Sequence, residues 1–252
     1  MSQIKQLLYS FSRYCSDLVL PPVCIACKTS THQHETLCPT CWRQTNFIIP
    51  PICDRLGIPM PYNIGDTTIS AAALAYPPIF NRARSVAHYE GPVKSMIHAL
   101  KYADQHEGVK LFGRWMASAG KDILGKNSLL VPVPLSRSRL WSRRFNQSAL
   151  LAQAIGVYCN IPVNCLSMKR VKNTRAQVEL TRKQREKNVS AAFKIPKHRL
   201  SAIQAKDIVL VDDVLTTGAT INACTKTLLK AKANKVDVLT LARVVDPVLL
   251  GD

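Results

Sequence analysis

The chain of 252 residues is long enough to bury a sizeable core, and its 47% hydrophobic and 20% charged residues have the balance of a globular protein, which excludes a wholly disordered chain. Its formal net charge of +18 predicts a phosphorylated or polyanionic partner. A membrane span needs about 20 apolar residues. The uncharged stretch 67–80, the candidate for such a span, is shorter than that and contains two adjacent prolines, so we expect no span.

The first 20 residues have apolar side chains at helical spacing, interrupted by charged residues. They lack both the continuous apolar run and the small-residue cleavage site of a signal peptide. We therefore predict an N-terminal helix rather than a leader. This places the protein in the cytoplasm, where its nine cysteines are expected to stay mostly reduced.

Four cysteines form two C-x2-C pairs separated by ten residues. Two residues between thiolates allow a tight turn to aim both sulfurs at one ion, and two such turns complete a tetrahedron, which suits a structural zinc ion. The alternatives are unrelated cysteines or redox pairs, and His32 and His34 in the gap are alternative ligands. The predicted ligands are Cys24, Cys27, Cys38 and Cys41.

A fifth cysteine, Cys53, begins a similar stretch, Cys-Asp-Arg-Leu-Gly, in which Leu56 stands at the partner position. A single cysteine cannot close a second metal site. The sequence therefore predicts one zinc ion per chain.

After a proline-dotted segment, roughly residues 45–80, predicted helices and strands alternate. Helical spacing of Val93, Ile97 and Leu100 predicts a helix in VKSMIHALKY, and short β-rich runs predict buried strands. This alternation is typical of an α/β fold with a parallel sheet. We expect a zinc-finger module over residues 1–60 and an α/β domain over 61–252. The later predicted elements are strand Leu129–Val133, helix Gln147–Ile155, strand Ile208–Val211, helix Ala219–Lys232 and strand Val236–Val245.

Positive charge is concentrated in residues 131–199, which hold 15 lysines and arginines against two acidic residues, Glu179 and Glu186. A solvated basic face is one interpretation. A surface for phosphates or nucleic acid is the other, because so dense a field attracts polyanions and is otherwise costly in self-repulsion. Both Trp141 and Phe145 lie within this stretch and suit stacking on bases.

Two adjacent aspartates, Asp212 and Asp213, follow a predicted buried strand that ends at Val211. Ligands of parallel sheets bind beyond the carboxyl ends of the strands, so both carboxylates are expected in that crevice. The turn that follows offers backbone N–H groups, hydroxyls and a helix N-terminus to a phosphate. A sugar phosphate gripped by its vicinal hydroxyls, with magnesium nearby, fits better than an acidic strand end capped by threonines. The loop residues are Thr216, Thr217, Gly218, Ala219 and Thr220.

The run IVLVDDVLTTGAT (208–220) resembles the phosphoribosyl pyrophosphate (PRPP) motif of type I phosphoribosyltransferases at every position. The resemblance implies that the acids bind the ribose hydroxyls and the threonine-glycine loop binds the 5-phosphate. It also implies a separate loop for pyrophosphate and Mg²⁺, here VPVPLSRSR (131–139) with Arg137 and Arg139, and a mobile hood over the base.

A second resemblance is narrower. VPVPLSRSRLWSRRFNQSALLA, the run from Arg170 to Phe193, the cysteine module and YEGPVKSMIHALKY are all similar to the ComF family, over about residues 20–245. Members of that family join a zinc finger to a phosphoribosyltransferase domain and support natural transformation with single-stranded DNA. This chain departs from the pattern at Arg144, where glycine is usual, and at Leu56, where cysteine is common.

Three functions follow from these resemblances. The first is a competence protein that binds PRPP and assists uptake or handling of single-stranded DNA, with possible partners among competence proteins at the inner face of the membrane. The second is an active transferase that attaches phosphoribose to a base or amine; the sequence identifies no acceptor or catalytic residue. The third is a zinc-containing DNA-binding adaptor with a relic PRPP site. The residues predicted to contact DNA are Arg143, Arg144, Lys169, Arg170, Lys172 and Arg175.

Overall fold

A computed structural model describes residues 21–61, 65, 68–102, 108–171 and 192–244. The predicted N-terminal helix, the predicted DNA contacts Lys172 and Arg175, and the last residue of the final predicted strand lie outside these ranges. In the part of the chain that is described, no helix is long and apolar enough to cross a membrane.

Four parallel strands form the central sheet, in the order β1-β6-β5-β2. A separate antiparallel pair, β3 and β4, lies outside it. The predicted parallel α/β architecture is confirmed. The strands are β1 Ala83–His88, β2 Ser128–Pro132, β3 Lys169–Arg170, β4 Phe193–Lys194, β5 Asp207–Leu215 and β6 Lys235–Arg243.

Seven α-helices are found within the described ranges, together with a 3-10 helix at Lys197–Ala202. The helix predicted in VKSMIHALKY and those predicted to begin at residues 147 and 219 are all present, with C-terminal ends that differ by a few residues. The helices are α1 Pro39–Arg43, α2 Ala71–Ala75, α3 Gly91–Tyr102, α4 Val109–Ala119, α5 Arg137–Arg143, α6 Gln147–Cys159 and α7 Ala219–Lys230.

Alternate residues of β5 face opposite sides of the sheet, as the two-residue period of a strand requires. Val209 and Val211 belong to the core beneath α3, α4 and α6, whereas Ile208 and Leu210 belong to the core beneath α7. Both faces of the sheet are therefore covered, which explains why its strands read as continuous apolar runs.

The end of β5 differs from the prediction. We expected the strand to stop at Val211, but it continues to Leu215, and Asp212 lies opposite Thr240 of β6. Backbone pairing with β6 continues whatever the side chains are. On the other edge, β2 pairs with β5 only as far as Pro132 opposite Val211, so the acidic pair lies where one edge of β5 is open.

An aromatic cluster joins the cysteine module to the α/β domain. Trp42 of the module lies 4.9 Å from Phe47 and 6.1 Å from Trp115 of α4, measured between ring centroids. The Trp115 ring also lies 6.0 Å from that of Phe112. These distances are typical of favourable aromatic contacts, so the module packs against α4 through its rings.

Candidate functional site

The acidic pair on β5 is held by three neighbours. The hydroxyl of Ser148 donates a hydrogen bond of 2.8 Å to Oδ1 of Asp212, and the backbone N–H of Asp213 donates one of 2.9 Å to the same oxygen. The ammonium of Lys101 lies 2.8 Å from Oδ2 of Asp213. Both carboxylates are thereby fixed in orientation, which a site that grips two hydroxyls needs.

Ionisation of the pair differs from the simple expectation that both acids are charged. Burial, and then the negative charge of Asp213, raise the pKa of Asp212 to about 7. The hydrogen bond from Ser148 and the charge of Lys101 act in the opposite direction. Near neutral pH the charge of the pair therefore responds to what binds beside it.

The predicted phosphate loop leads from β5 into α7. Gly218 caps the helix with a φ of 75°, a left-handed conformation that favours glycine. Within the described part of the chain, the buried hydroxyl of Thr217 has no hydrogen-bond partner. An unpartnered buried hydroxyl beside the N-terminus of a 12-residue helix suits an anionic ligand with acceptor oxygens.

A cavity of about 540 Å³ opens over the acidic pair and the loop. Three arginines, Arg139, Arg143 and Arg170, also line it. Burial and the charge of Arg139 lower the pKa of Arg170, whose guanidinium lies 5.4 Å from the centre of the Phe193 ring. Carboxylates and guanidinium groups in one cavity match a ligand that carries both hydroxyls and phosphates.

The predicted site residues are distributed as follows. The two aspartates and the loop residues Thr216, Gly218, Ala219 and Thr220 line the cavity, as does Arg139 from the predicted pyrophosphate loop, whereas Thr217 and Arg137 are not among the lining residues. Two arginines predicted to contact DNA, Arg143 and Arg170, also face this cavity. Arg144 and Lys169 lie outside its lining.

Sequence reasoning missed five lining residues: Tyr89, His98, Lys101, Gln147 and Ser148. A signal for Lys101 was present, since it follows Ile97 by four residues and so shares the buried stripe of α3, where a lysine needs a partner. Gln147 begins α6, and its buried amide nitrogen has no hydrogen-bond partner among the residues that the structure describes. That amide is a second unsatisfied donor available to a ligand.

The four predicted zinc ligands come together, with all their sulfurs within 4.8 Å of one another. Sulfurs bound tetrahedrally to zinc at about 2.3 Å lie roughly 3.8 Å apart, and those of Cys27 and Cys38 are separated by 3.7 Å. A hydrogen bond with the Thr29 hydroxyl is the main cause that lowers the pKa of Cys27 to about 6, which favours the thiolate that metals bind. The cluster therefore fits a structural zinc ion.

The turn at Cys53 repeats the turn at Cys24. In each, the cysteine N–H donates to the carbonyl five residues later, and the residue four positions later donates back to the cysteine carbonyl. Ser70 then caps α2 and donates its N–H to the Cys53 sulfur at 3.3 Å. In the first turn Cys38 caps α1 and donates to the Cys24 sulfur at the same distance. The backbone bonds are Cys24 with Thr29 and Lys28, at 2.7 and 2.9 Å, and Cys53 with Ile58 and Gly57, at 2.8 and 2.7 Å.

The implied magnesium ion fits the acidic pair poorly. The outer oxygen of Asp213 already contacts the ammonium of Lys101, and one oxygen of Asp212 accepts two hydrogen bonds. Among the described residues, the four cysteines are the one group of three or more His, Cys, Asp or Glu side chains that converge on a point. A magnesium ion carried by pyrophosphate would belong to the ligand rather than to this pair.

Comparison with known proteins gives two family matches. Residues 15–73 match the family described as double zinc ribbon domain, and residues 98–247 match the phosphoribosyl transferase domain. Competence protein F of Haemophilus influenzae is 30% identical over 226 residues, which cover 87% of this chain and 96% of that protein. DNA utilization protein YhgH of Escherichia coli is 29% identical, covering 88% and 90% of the two chains. Competence protein ComFC of Bacillus subtilis is 27% identical, covering 83% and 85%.

Proposed function

The chain belongs to the ComF family of competence proteins, and from this premise we propose that it binds PRPP, or a related phosphoribosyl compound, while assisting uptake or handling of single-stranded DNA in the cytoplasm. One observation carries the proposal. The acidic pair, the phosphate loop and three arginines, which come from β5, the start of α7, the α5 segment and β3, converge on one cavity of about 540 Å³.

Each part of the cavity has a role in this proposal. The carboxylates of Asp212 and Asp213 accept hydrogen bonds from the two ribose hydroxyls. The hydroxyls of Thr216 and Thr220, which line the cavity, and the N–H groups after Gly218 hold the 5-phosphate. The guanidinium groups of the lining residues Arg139, Arg143 and Arg170 hold the pyrophosphate.

The experiment that tests this site is calorimetric titration of PRPP into the wild-type chain and into the double variant Asp212→Asn/Asp213→Asn. The charge-assisted hydrogen bonds lost are worth roughly 1.5–3 kcal/mol each, so affinity should fall tenfold or more. Asp207→Asn, at the first residue of the same strand and outside the cavity, is the matched control. Equal affinity in wild type and double variant would reject the site.

The pH dependence follows from the raised pKa of Asp212. Its carboxylate becomes fully charged only as pH rises through about 7, so PRPP affinity should increase between about pH 6 and 8. Stability should change in the opposite direction. A carboxyl whose pKa is raised in the folded state binds a proton more tightly there, so stability falls as pH rises from about 4 to 7. A PRPP affinity that is flat with pH would contradict this assignment.

The DNA-binding part of the proposal is supported by the basic charge outside the cavity and by the names of the relatives. The indole of Trp141 is 90% exposed on α5, between Arg137 and Arg144, and is available to stack on bases.

We expect Arg144→Ala/Lys169→Ala to weaken binding of single-stranded DNA and reduce its salt dependence, with PRPP binding retained. Arg143→Ala/Arg170→Ala should instead weaken PRPP binding. Measuring fluorescence anisotropy across a salt series, beside the PRPP titration, separates the two pairs, and no DNA binding at low salt would reject this part.

A second candidate function is an active phosphoribosyltransferase, and an unsatisfied group in the cavity favours it. The buried amide nitrogen of Gln147, which lines the cavity, has no partner among the described residues, as expected of a site that still receives a ligand rather than a relic. Incubation with PRPP, Mg²⁺ and candidate bases or amines, with and without single-stranded DNA, should release pyrophosphate if the chain is an enzyme.

If the double variant binds PRPP weakly yet still supports transformation in cells, the adaptor with a relic site is the better description. Partners among competence proteins at the inner face of the membrane belong to the same proposal.

A further inference from the structure

Lys101 lies in the last turn of α3 and is the cation that contacts the acidic pair. Its ammonium is 2.8 Å from Oδ2 of Asp213, and the two side chains are only 19% and 13% exposed. Burial by itself lowers the pKa of Lys101, but the attraction and hydrogen bond of Asp213 outweigh it, so the net change is upward and the ammonium is retained. The negative end of the α3 dipole also favours a cation in that turn.

A cation at this position reduces the electrostatic repulsion within the acidic pair. The sequence predicts that a magnesium ion offsets this repulsion between the two adjacent carboxylates. The ammonium is already in contact with Asp213, and the charge of Lys101 also opposes the rise in the pKa of Asp212. Since the helix that carries Lys101 packs in the core beneath the sheet, this counter-charge is part of the fold.

We propose that Lys101 is the built-in counter-ion of Asp212 and Asp213, and that it makes recognition of the ribose 5-phosphate group independent of divalent metal. This inference rests on the proposed function, because it concerns the same site. Lys101 is a positioning residue: it holds Asp213 in the orientation that accepts a ribose hydroxyl. Any metal requirement of the chain then arises from the pyrophosphate of a ligand, not from the carboxylates.

The test uses ribose 5-phosphate, because this probe carries the hydroxyls and the 5-phosphate but no pyrophosphate to bring in a metal ion. The full-length chain is titrated by calorimetry in EDTA and in saturating MgCl₂. Wild type should bind equally well in both. Lys101→Met keeps the length of the side chain but removes its charge, so its affinity should fall about tenfold in EDTA and recover in part with MgCl₂. Lys101→Arg keeps the positive charge, so it should bind more tightly in EDTA than Lys101→Met does. Lys94→Met, on the exposed face of the same helix, is the control that should behave like wild type.

A second measurement needs no sugar. If the ammonium occupies the place of a metal, MgCl₂ should raise the melting temperature of Lys101→Met and leave that of wild type unchanged. The melting curve also shows that each variant is folded at the titration temperature.

The failure of this inference can be told apart from failure of the proposed function. Wild type that binds only with MgCl₂, or Lys101→Met that binds like wild type in EDTA, overturns the role of Lys101 alone. Wild type that binds ribose 5-phosphate under neither condition overturns the sugar-phosphate site and this inference with it.

Discussion

The turns at Cys24 and Cys53 have the same backbone hydrogen bonds but are stabilised in different ways. We call the segment from Cys24 to Cys41 the first ribbon and the segment from Cys53 to Ala73 the second ribbon. Both begin at a buried cysteine whose sulfur accepts a hydrogen bond from the N–H that starts the following short helix. In the first turn three more cysteines complete a metal site. In the second, the corresponding places hold Leu56, Ser70 and Ala73, which cannot bind zinc.

The second turn is stabilised by packing and by contacts with the sheet. Cys53, Ile58 and Ala73 form a small buried cluster, with Leu56 against it. The guanidinium of Arg84 on β1 contacts the carboxylate of Asp54, 3.1 Å away, and also that of Asp122. Arg243 of β6 donates a hydrogen bond to the carbonyl of Leu56. A ribbon turn without metal ligands can therefore keep its backbone conformation when a neighbouring domain supplies stabilising contacts.

The largest difference in stability should appear when the two equivalent residues Cys38 and Ser70 are substituted in separate variants. Cys38→Ser removes a thiolate from a site whose apparent binding free energy is about 10–16 kcal/mol, so zinc should be lost and the first ribbon should unfold. Ser70→Ala removes only a helix cap, worth about 1 kcal/mol. Metal analysis and hydrogen exchange should show one zinc ion per chain in wild type and in Ser70→Ala. Unchanged zinc content in Cys38→Ser would contradict the four-cysteine site.

A smaller effect, of opposite sign, should come from restoring the missing ligands in the second turn. Leu56→Cys/Ser70→Cys/Ala73→Cys should bind a second zinc ion, because the backbone already matches that of the first turn. The gain is partly offset by lost packing of Leu56 in its cluster. Metal analysis should give two zinc ions per chain, and the single variant Leu56→Cys should still give one. One zinc ion in the triple variant would show that the two turns are not equivalent.

The smallest difference between the two turns in the free energy of unfolding is expected at the fourth residue after each cysteine, which has a left-handed backbone conformation in both turns. Gly57 has a φ of 64°, and a Cβ there would lie 2.2 Å from the carbonyl oxygen of Ala83, so Gly57→Ala should destabilise the fold by about 2–4 kcal/mol. Lys28 has the same φ but is exposed, so Lys28→Gly should stabilise by up to about 1 kcal/mol. Urea unfolding measures both. A loss in Gly57→Ala no larger than about 1 kcal/mol would contradict the close approach of this turn to β1.

Much of the fold could be predicted from local signals. Buried apolar runs located β2, β5 and β6, three of the four strands of the sheet, whereas β1 was not predicted. The C-x2-C spacing located the cysteine cluster. The acidic pair and the loop line one cavity because the pair lies near the end of β5 and the loop directly follows that strand. Arg144 ends α5 with a φ of 64°, a conformation in which glycine is favoured, which accounts for the glycine that is usual at this position.

The remaining parts of the site depend on contacts between segments distant in sequence. Arg143 and Arg170 read as DNA contacts in a basic stretch, yet packing brings both to the cavity that holds Asp212. The length of β5 depended on pairing with β6, which no local pattern reveals. Lys101 required knowing that the end of α3 lies beside Asp213, 112 positions further along the chain.

The aromatic cluster between the first ribbon and α4 gives the chain its own optical reporter. Two indole rings whose centres are 6.1 Å apart, at an interplanar angle of 65°, are held in a fixed asymmetric arrangement, and aromatic rings held in this way give a near-ultraviolet circular dichroism signal. Release of zinc should separate Trp42 from Trp115 and reduce that signal.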